Sequence, residues 1–233
     1  MTIAGILFDK DGTLLDYHET WMPVNRRAAL AAAGGDEVLA GELLALAGYD
    51  HTSRRVRSNS PMAAWSNAEI AALWASRVPG WEEEGALTRV MEEIFLQVDV
   101  TPVTDLGALL LRLKGRGLSL GIATNDSAAG AQVTVARFGL SGLLDFVAGY
   151  DSGHGSKPGP GMVDAFCRAT RLAPEAVAVV GDNLHDLEMG RAAGVGVVVG
   201  VLSGTSHQAD LVPLADHVLD DITQIESLLD SLP

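Results

Sequence analysis

From residue 100 onward the chain repeats one pattern: a short apolar run, a turn, then apolar residues at helical spacing. The runs are Leu118–Ala123, Phe146–Ala148, Ala176–Val180, Val195–Val199 and His217–Leu219, and Ile3–Phe8 at the start is another. Runs this short, with no polar residue at alternate positions, read as strands buried on both faces. Between them Leu106, Leu109, Leu110 and Leu113 form a helical stripe behind a candidate N-cap, Thr104, and Gly115 and Gly117 end it. A second helix through Val133 to Phe138 stops at Gly139. A third begins at Pro160 and carries Met162, Val163, Phe166 and Cys167. Strands alternating with helices predict right-handed crossovers and an α/β fold, a doubly wound, mostly parallel Rossmann-like sheet covered on both sides.

Residues 17–100 differ. They show helical stripes and no strand signal: Val38, Leu39, Leu43 and Leu46; Ile70, Leu73 and Trp74; Leu87, Val90, Met91, Ile94 and Val98. An all-helical insertion between the first and second strands predicts a small separate lobe. Trp65, Trp74 and Trp81 are expected to pack that lobe, with Trp21 near its hinge.

Open parallel sheets bind ligands at the carboxyl ends of their strands. Two of the runs end there in carboxylates: Phe8-Asp9-Lys10-Asp11-Gly12-Thr13-Leu14-Leu15-Asp16, and Gly181-Asp182-Asn183-Leu184-His185-Asp186. Such a cluster repels itself unless a divalent cation neutralises it, and hard oxygen donors suit Mg²⁺. An isolated Asp-x-Asp is more often a solvated turn or helix cap. Here both aspartates follow a buried-strand pattern directly, and Gly12-Thr13 allows a tight turn. Lys10, on the opposite side from both by strand alternation, is expected at the surface.

The formal charge of −14 makes nucleic acid and anionic membranes poor partners, since both are bound through basic surface. The apolar run Val195–Leu202 is interrupted by Gly196 and Gly200 and falls far short of the ~20 residues of a membrane span. Met1–Gly5 shows no secretory pattern, and the single cysteine, Cys167, excludes an internal disulfide. A cytoplasmic protein is expected, with Cys167 as core packing. The one basic cluster is His51-Thr52-Ser53-Arg54-Arg55-Val56-Arg57-Ser58-Asn59-Ser60. It is either a solvated loop or a site where Arg54, Arg55 or Arg57 meets an anionic group, with Ser53, Ser58 and Asn59 adding hydrogen bonds.

The first motif resembles that of the haloacid dehalogenase-like hydrolases, Asp-x-Asp-Gly-Thr/Val, and other elements follow in the family's order. Thr124 ends the second strand pattern, Lys157 lies in Ser156-Lys157-Pro158, and Gly181-Asp182 with Asp186 matches Gly-Asp-x-x-x-Asp. The family usually has an apolar residue where Lys10 stands. The resemblance covers the whole chain and implies a catalytic core, 1–16 and 101–233, with a helical cap, 17–100, that closes over the site and chooses the substrate. It implies Asp9 as nucleophile, Asp11 as acid and base, Thr124 and Lys157 as phosphate ligands beside Asn125, and Mg²⁺ held by Asp9, Asp182 and the Asp11 carbonyl, with Asp186 behind.

The run Asp-Gly-Thr-Leu-Leu-Asp is similar to the phosphoglycolate phosphatase branch, which implies a small phosphate ester as substrate, possessing a carboxylate that an arginine could read. A phosphosugar mutase would use the same aspartates, and a phospho-ligand-binding regulator could keep the fold. A haloacid dehalogenase has no use for Asp11, because halide leaves unprotonated. A phosphonatase needs a lysine in the cap, and residues 17–100 contain none.

Overall fold

The computed structural model describes residues 2–232 except 59, 84 and 96, and all side chains among these but that of Ala64. In chain order the elements are β1 (Gly5–Phe8), α1 (Tyr17–Ala32), α2 (Glu37–Leu46), β2 (Tyr49–Asp50), β3 (Arg55–Val56), α3 (Pro61–Ala64), α4 (Asn67–Ala75) and α5 (Ala86–Phe95). There follow α6 (Leu106–Gly115), β4 (Ser119–Ala123), α7 (Ala128–Arg137), β5 (Phe146–Ala148), α8 (Gly161–Thr170) and β6 (Val177–Gly181). The last are α9 (Leu184–Ala193), β7 (Val197–Val201), α10 (Gln208–Leu211), β8 (His217–Leu219) and α11 (Ile225–Ser231). The chain divides into two compact units, residues 1–16 with 102–233, and residues 17–101.

The larger unit is built on a six-stranded, all-parallel sheet in the order β5-β4-β1-β6-β7-β8. This is the α/β sheet that the apolar runs predict. β1 lies in its middle, wholly buried, with Phe8 level with Ile122 on one side and Val180 on the other. A strand hydrogen-bonded on both edges and covered on both faces has no position for a polar residue, hence the unbroken Gly-Ile-Leu-Phe. Leu7, Val179, Met162, Val163 and Phe166 share one buried cluster between the sheet and α8. The Phe166 ring fits because β4 presents Gly121 there: a Cβ on Gly121 would stand 2.9 Å from it.

Helix starts are set by polar side chains. Asp105, one residue after the expected Thr104, caps α6 by accepting from Ala108 N at 2.9 Å. Its carboxylate reaches the exposed amides of the first turn, where charge also suits the helix dipole. Ser127 caps α7 and Asn183 caps α9.

The smaller unit has its own core, in which Met22, Leu43, Ile70, Trp74, Leu87 and Met91 are buried together. The indoles of Trp74 and Trp81 donate to Leu43 O and Ala32 O, both at 2.9 Å, so both pack the lobe. Trp65 is exposed, and Trp21 stacks on Phe95. Val38 departs from its expected stripe and is 74% exposed, because it lies in the first turn of α2 beside the N-cap Asp36.

The lobe is not purely helical. β2 and β3 form a small antiparallel hairpin. Asp50 accepts from Thr52 N and Ser53 N at its turn, and Arg54 takes a left-handed conformation, φ 57°. Two residues per strand are too few for a period-two signal, which is why the basic stretch reads as a loop in sequence.

Candidate active site

The two acidic motifs meet because β1 and β6 are neighbours in register, and each motif begins where its strand ends. Asp9 continues the ladder by one bond, its N donating to Val180 O at 2.8 Å. Gly12 then turns the chain back with φ +93°, and Leu14 N and Leu15 N both bond to Lys10 O. Gly12 serves the site twice: it adopts a conformation that disfavours side chains, and a Cβ there would lie 2.6 Å from the Asp182 carboxyl carbon.

Asp9, Asp182 and Asp186 are all buried, with one oxygen of each within 4.8 Å of the others. Lys157 enters the cluster as a buried cation, its Nζ 2.5 Å from both Asp9 Oδ1 and Asp186 Oδ1. Asp186 is placed by local helix chemistry: it is the third residue of α9, and its Oδ2 accepts from Asn183 N at 3.0 Å in a capping box. Asp182 Oδ2 accepts from Thr205 N at 2.9 Å.

Three buried carboxylates face one ammonium. Burial pushes the Asp9 carboxyl up to about 7, Asp186 and Asp11 adding to the rise and Lys157 opposing it. Burial likewise raises Asp182 well above the carboxylate range, helped by Asp9 and Asp186. Desolvation works against the Lys157 charge, yet Asp186 and Asp9 outweigh it and hold the group above the usual lysine range. A buried site with three clustered carboxylates against one ammonium, all hard oxygen donors, fits a divalent cation such as Mg²⁺.

Asp11 lies apart from this cluster. Its Oδ2 is 2.6 Å from Lys10 Nζ, and its Oδ1 is buried without a hydrogen-bond partner among the described residues. Its side chain is therefore not one of the three clustered carboxylates. Lys10 is buried at 3% exposure, not on the surface, and also meets Asp126 Oδ2 at 3.0 Å. Strand alternation misplaces it because β1 has ended at Phe8 and the backbone is already turning. Desolvation opposes its charge, but Asp11 and Asp126 more than offset that.

Thr124 is buried at the end of β4, and its Oγ1 accepts from Asp126 N at 3.0 Å, which leaves the hydroxyl hydrogen to donate elsewhere. Asn125, a candidate substrate ligand, is engaged with the Lys157 backbone: Lys157 N donates to its Oδ1 at 2.9 Å and its Nδ2 donates to Lys157 O at 3.3 Å. It holds the Lys157 loop in place, where the Lys157–Pro158 peptide bond is cis. Arg54, Arg55 and Arg57 belong to the other unit, on and beside its hairpin, where Arg57 Nη2 donates to Ala45 O at 3.3 Å. Asn59 lies outside the described residues.

Sequence reading put Lys10 at the surface, gave Asp126 no part in the site, and missed the loop after β7, where Ser203 Oγ donates to Gly12 O at 2.7 Å and Thr205 holds Asp182. Only Gly204 could have signalled the loop: a Cβ there would stand 1.8 Å from Asp182 Oδ2.

The family model for haloacid dehalogenase-like hydrolases matches residues 3–194. The chain belongs to this family. It is 25% identical over 240 residues to a pyrophosphatase, PpaX, of Oceanobacillus iheyensis, covering 98% of each chain. It is 32% identical over 121 residues to a phosphoglycolate phosphatase of Haemophilus influenzae, covering 50% of this chain and 52% of that one. The fold matches the crystal structure of a candidate β-phosphoglucomutase from Thermotoga maritima, with TM-score 0.76 and 18% identity, over 99% of this chain and all of that one. The two curated relatives are a pyrophosphatase and a phosphatase, and its family makes this chain a haloacid dehalogenase-like hydrolase. No helix among the described residues is long and apolar enough to cross a membrane.

Proposed function

We propose that the protein is a Mg²⁺-dependent phosphatase of small phosphorylated metabolites, 2-phosphoglycolate or a similar ester, working through an aspartyl-phosphate. One observation carries this reading. Two carboxylates separated by one residue have opposite surroundings: Asp9 is in the buried acidic cluster with Lys157, and Asp11 is outside it with one bare oxygen. That division suits a nucleophile and a proton shuttle.

In the first step Asp9 attacks phosphorus, the bond from phosphorus to the ester oxygen breaks, and Asp11 gives its proton to the departing oxygen. In the second, water attacks phosphorus, the Asp9–phosphorus bond breaks, and Asp11 takes the water's proton. Bringing a carboxylate to a phosphate is opposed by charge, since two unit charges 4 Å apart repel by ~4 kcal/mol at an effective dielectric of 20. Lys157 offsets part of this, and the Thr124 hydroxyl can donate to a phosphoryl oxygen. Mg²⁺, held by Asp9, Asp182 and the Asp11 carbonyl with Asp186 behind, would supply further charge neutralisation. Choice among esters is assigned to residues 17–101, where Arg54, Arg55 and Arg57 offer cations to a substrate carboxylate.

The test is phosphate release from a panel of esters, 2-phosphoglycolate, sugar phosphates and p-nitrophenyl phosphate among them, with Mg²⁺ and with EDTA. Release is expected with Mg²⁺, falling to background with EDTA and in Asp9→Asn. No release from any ester by folded, metal-loaded protein would sink the phosphatase reading and leave a mutase or a binding protein.

A further inference from the structure

The phosphatase chemistry uses every buried charge around the acidic cluster except Lys10. This lysine replaces the apolar residue expected between the two aspartates, and it is gripped at both ends of a short chain of contacts. Its Nζ meets Asp11 Oδ2 at 2.6 Å and Asp126 Oδ2 at 3.0 Å. Asp126 is itself immobilised: its Oδ1 accepts from Ser127 N at 2.6 Å, its N donates to Thr124 Oγ1 at 3.0 Å, and its carbonyl accepts from Tyr150 N at 3.0 Å. The other oxygen of Asp11 is buried and bare.

We propose that Lys10 is a positioning residue that ties Asp11 to the segment carrying Thr124 and so reserves Asp11 Oδ1 for proton transfer at the leaving oxygen. The proposal rests on the phosphatase reading. A paired ammonium taken out of water often gains nothing over a well-packed apolar side chain of the same volume. Stability alone is therefore a weak reason for a lysine here. What the charge adds is direction. Proton transfer needs the carboxyl within about 2.6–3.2 Å of the oxygen it serves, and a misplacement of about 1 Å can cost ~100-fold in rate. Asp11 sits in a turn beyond the strand, where among the described residues its Oδ1 has no hydrogen-bond partner to fix the carboxyl. Lys10 engages one oxygen, so only the other can carry the proton. Through Asp126 it also fixes Asp11 relative to Thr124, a candidate phosphate ligand.

The chemistry supplies a readout that a purely structural role would not move. When the ester bond breaks, an alkoxide leaving group needs the Asp11 proton, whereas p-nitrophenolate is stable without it. The experiment compares kcat/KM for 2-phosphoglycolate or another alkyl ester with kcat/KM for p-nitrophenyl phosphate, in wild type, Lys10→Met and Asp126→Asn. Lys10→Met is expected to lose ~10- to 100-fold on the alkyl ester, part of the ~10²–10⁴ that acid–base catalysis supplies, and several-fold less on the aryl ester. Asp126→Asn should shift the same ratio by less, and it carries the kinetic test alone if Lys10→Met does not fold. Equal losses on both esters, or none, would overturn the proposal. Crystal structures of wild type and whichever variant folds give an arm independent of turnover. The Asp11 carboxylate should leave its wild-type rotamer or split between two; an unchanged rotamer would refute the positioning role. The outcomes stay separable: no release by wild type rejects the phosphatase reading, and the rotamer comparison still judges Lys10.

Discussion

Asp9 is costly for the fold when no cation neutralises it. Its proton affinity is higher in the folded protein, at about 7, than the ordinary 3.8, chiefly because it is buried. Between those values the folded state binds more protons than the unfolded one, so raising the pH favours unfolding. The metal-free protein should therefore be most stable near pH 4, lose stability as pH rises to about 7, and change little beyond that on this account. Asp182 shifts in the same direction and steepens the slope. Lys157 acts only at alkaline pH, above this window. Thermal melts in EDTA across this range should show the fall, a smaller fall in Asp9→Asn, and recovery of the wild type at neutral pH on adding Mg²⁺. A melting temperature in EDTA that is flat or rising from pH 4 to 7 would contradict the electrostatics drawn here.

Among the elements, β1, β4 and α8 decide whether the site is held rigidly. Phe166 on α8 packs over Gly121 of β4 and Gly5 of β1, and an added Cβ at either glycine would crowd its ring or Leu172. The two strands so covered lead directly into Thr124 and Asp9. Phe166→Ala should destabilise the protein by ~3–5 kcal/mol, the usual cost of emptying a fully buried aromatic position, as read by denaturant unfolding. A loss below ~1 kcal/mol would mean that the neighbours collapse into the space. Asp145 plays a smaller part at the start of β4. Its Oδ2 accepts from Leu120 N at 2.9 Å and from Lys114 Nζ at 2.8 Å. Burial works against its charge, but these donors hold the carboxyl below its usual range. That stability is present above the ordinary carboxylate pKa and is lost as pH falls through the folded one.

At the scale of the molecule, the smaller unit is an insertion whose two ends emerge side by side. Leu15 bridges Pro102, and Val103 N donates to Leu14 O at 3.0 Å. The larger unit also keeps its own sheet and its own buried cluster. Replacing residues 17–101 with a short Gly-Ser linker should leave a protein that unfolds cooperatively and binds Mg²⁺. On the proposed division of labour it retains slow hydrolysis of p-nitrophenyl phosphate and loses discrimination among natural esters. A product without cooperative unfolding would show that the two units depend on one another for stability.

The apolar runs were enough to read the parallel sheet, because a strand buried on both faces leaves no room for polar residues and its signature is continuous. They also placed Asp9 and Asp182 just past the ends of two strands, at the edge where an open parallel sheet gathers side chains; Thr124 and Lys157 entered only through the family resemblance. Sequence alone could not say which carboxylates touch. Asp9, Asp182 and Asp186 converge while Asp11 turns to Lys10, and that depends on register between β1 and β6 and on the turn after Phe8. Lys10 is the clearest case. Alternation along a strand puts it outside, but the strand stops two residues before it, and only the folded turn, with Asp126 brought from beyond β4, makes a buried site for its charge. Periodicity is a local property and was legible; pairing between residues more than a hundred positions apart is set by packing, and only the tertiary structure decided it.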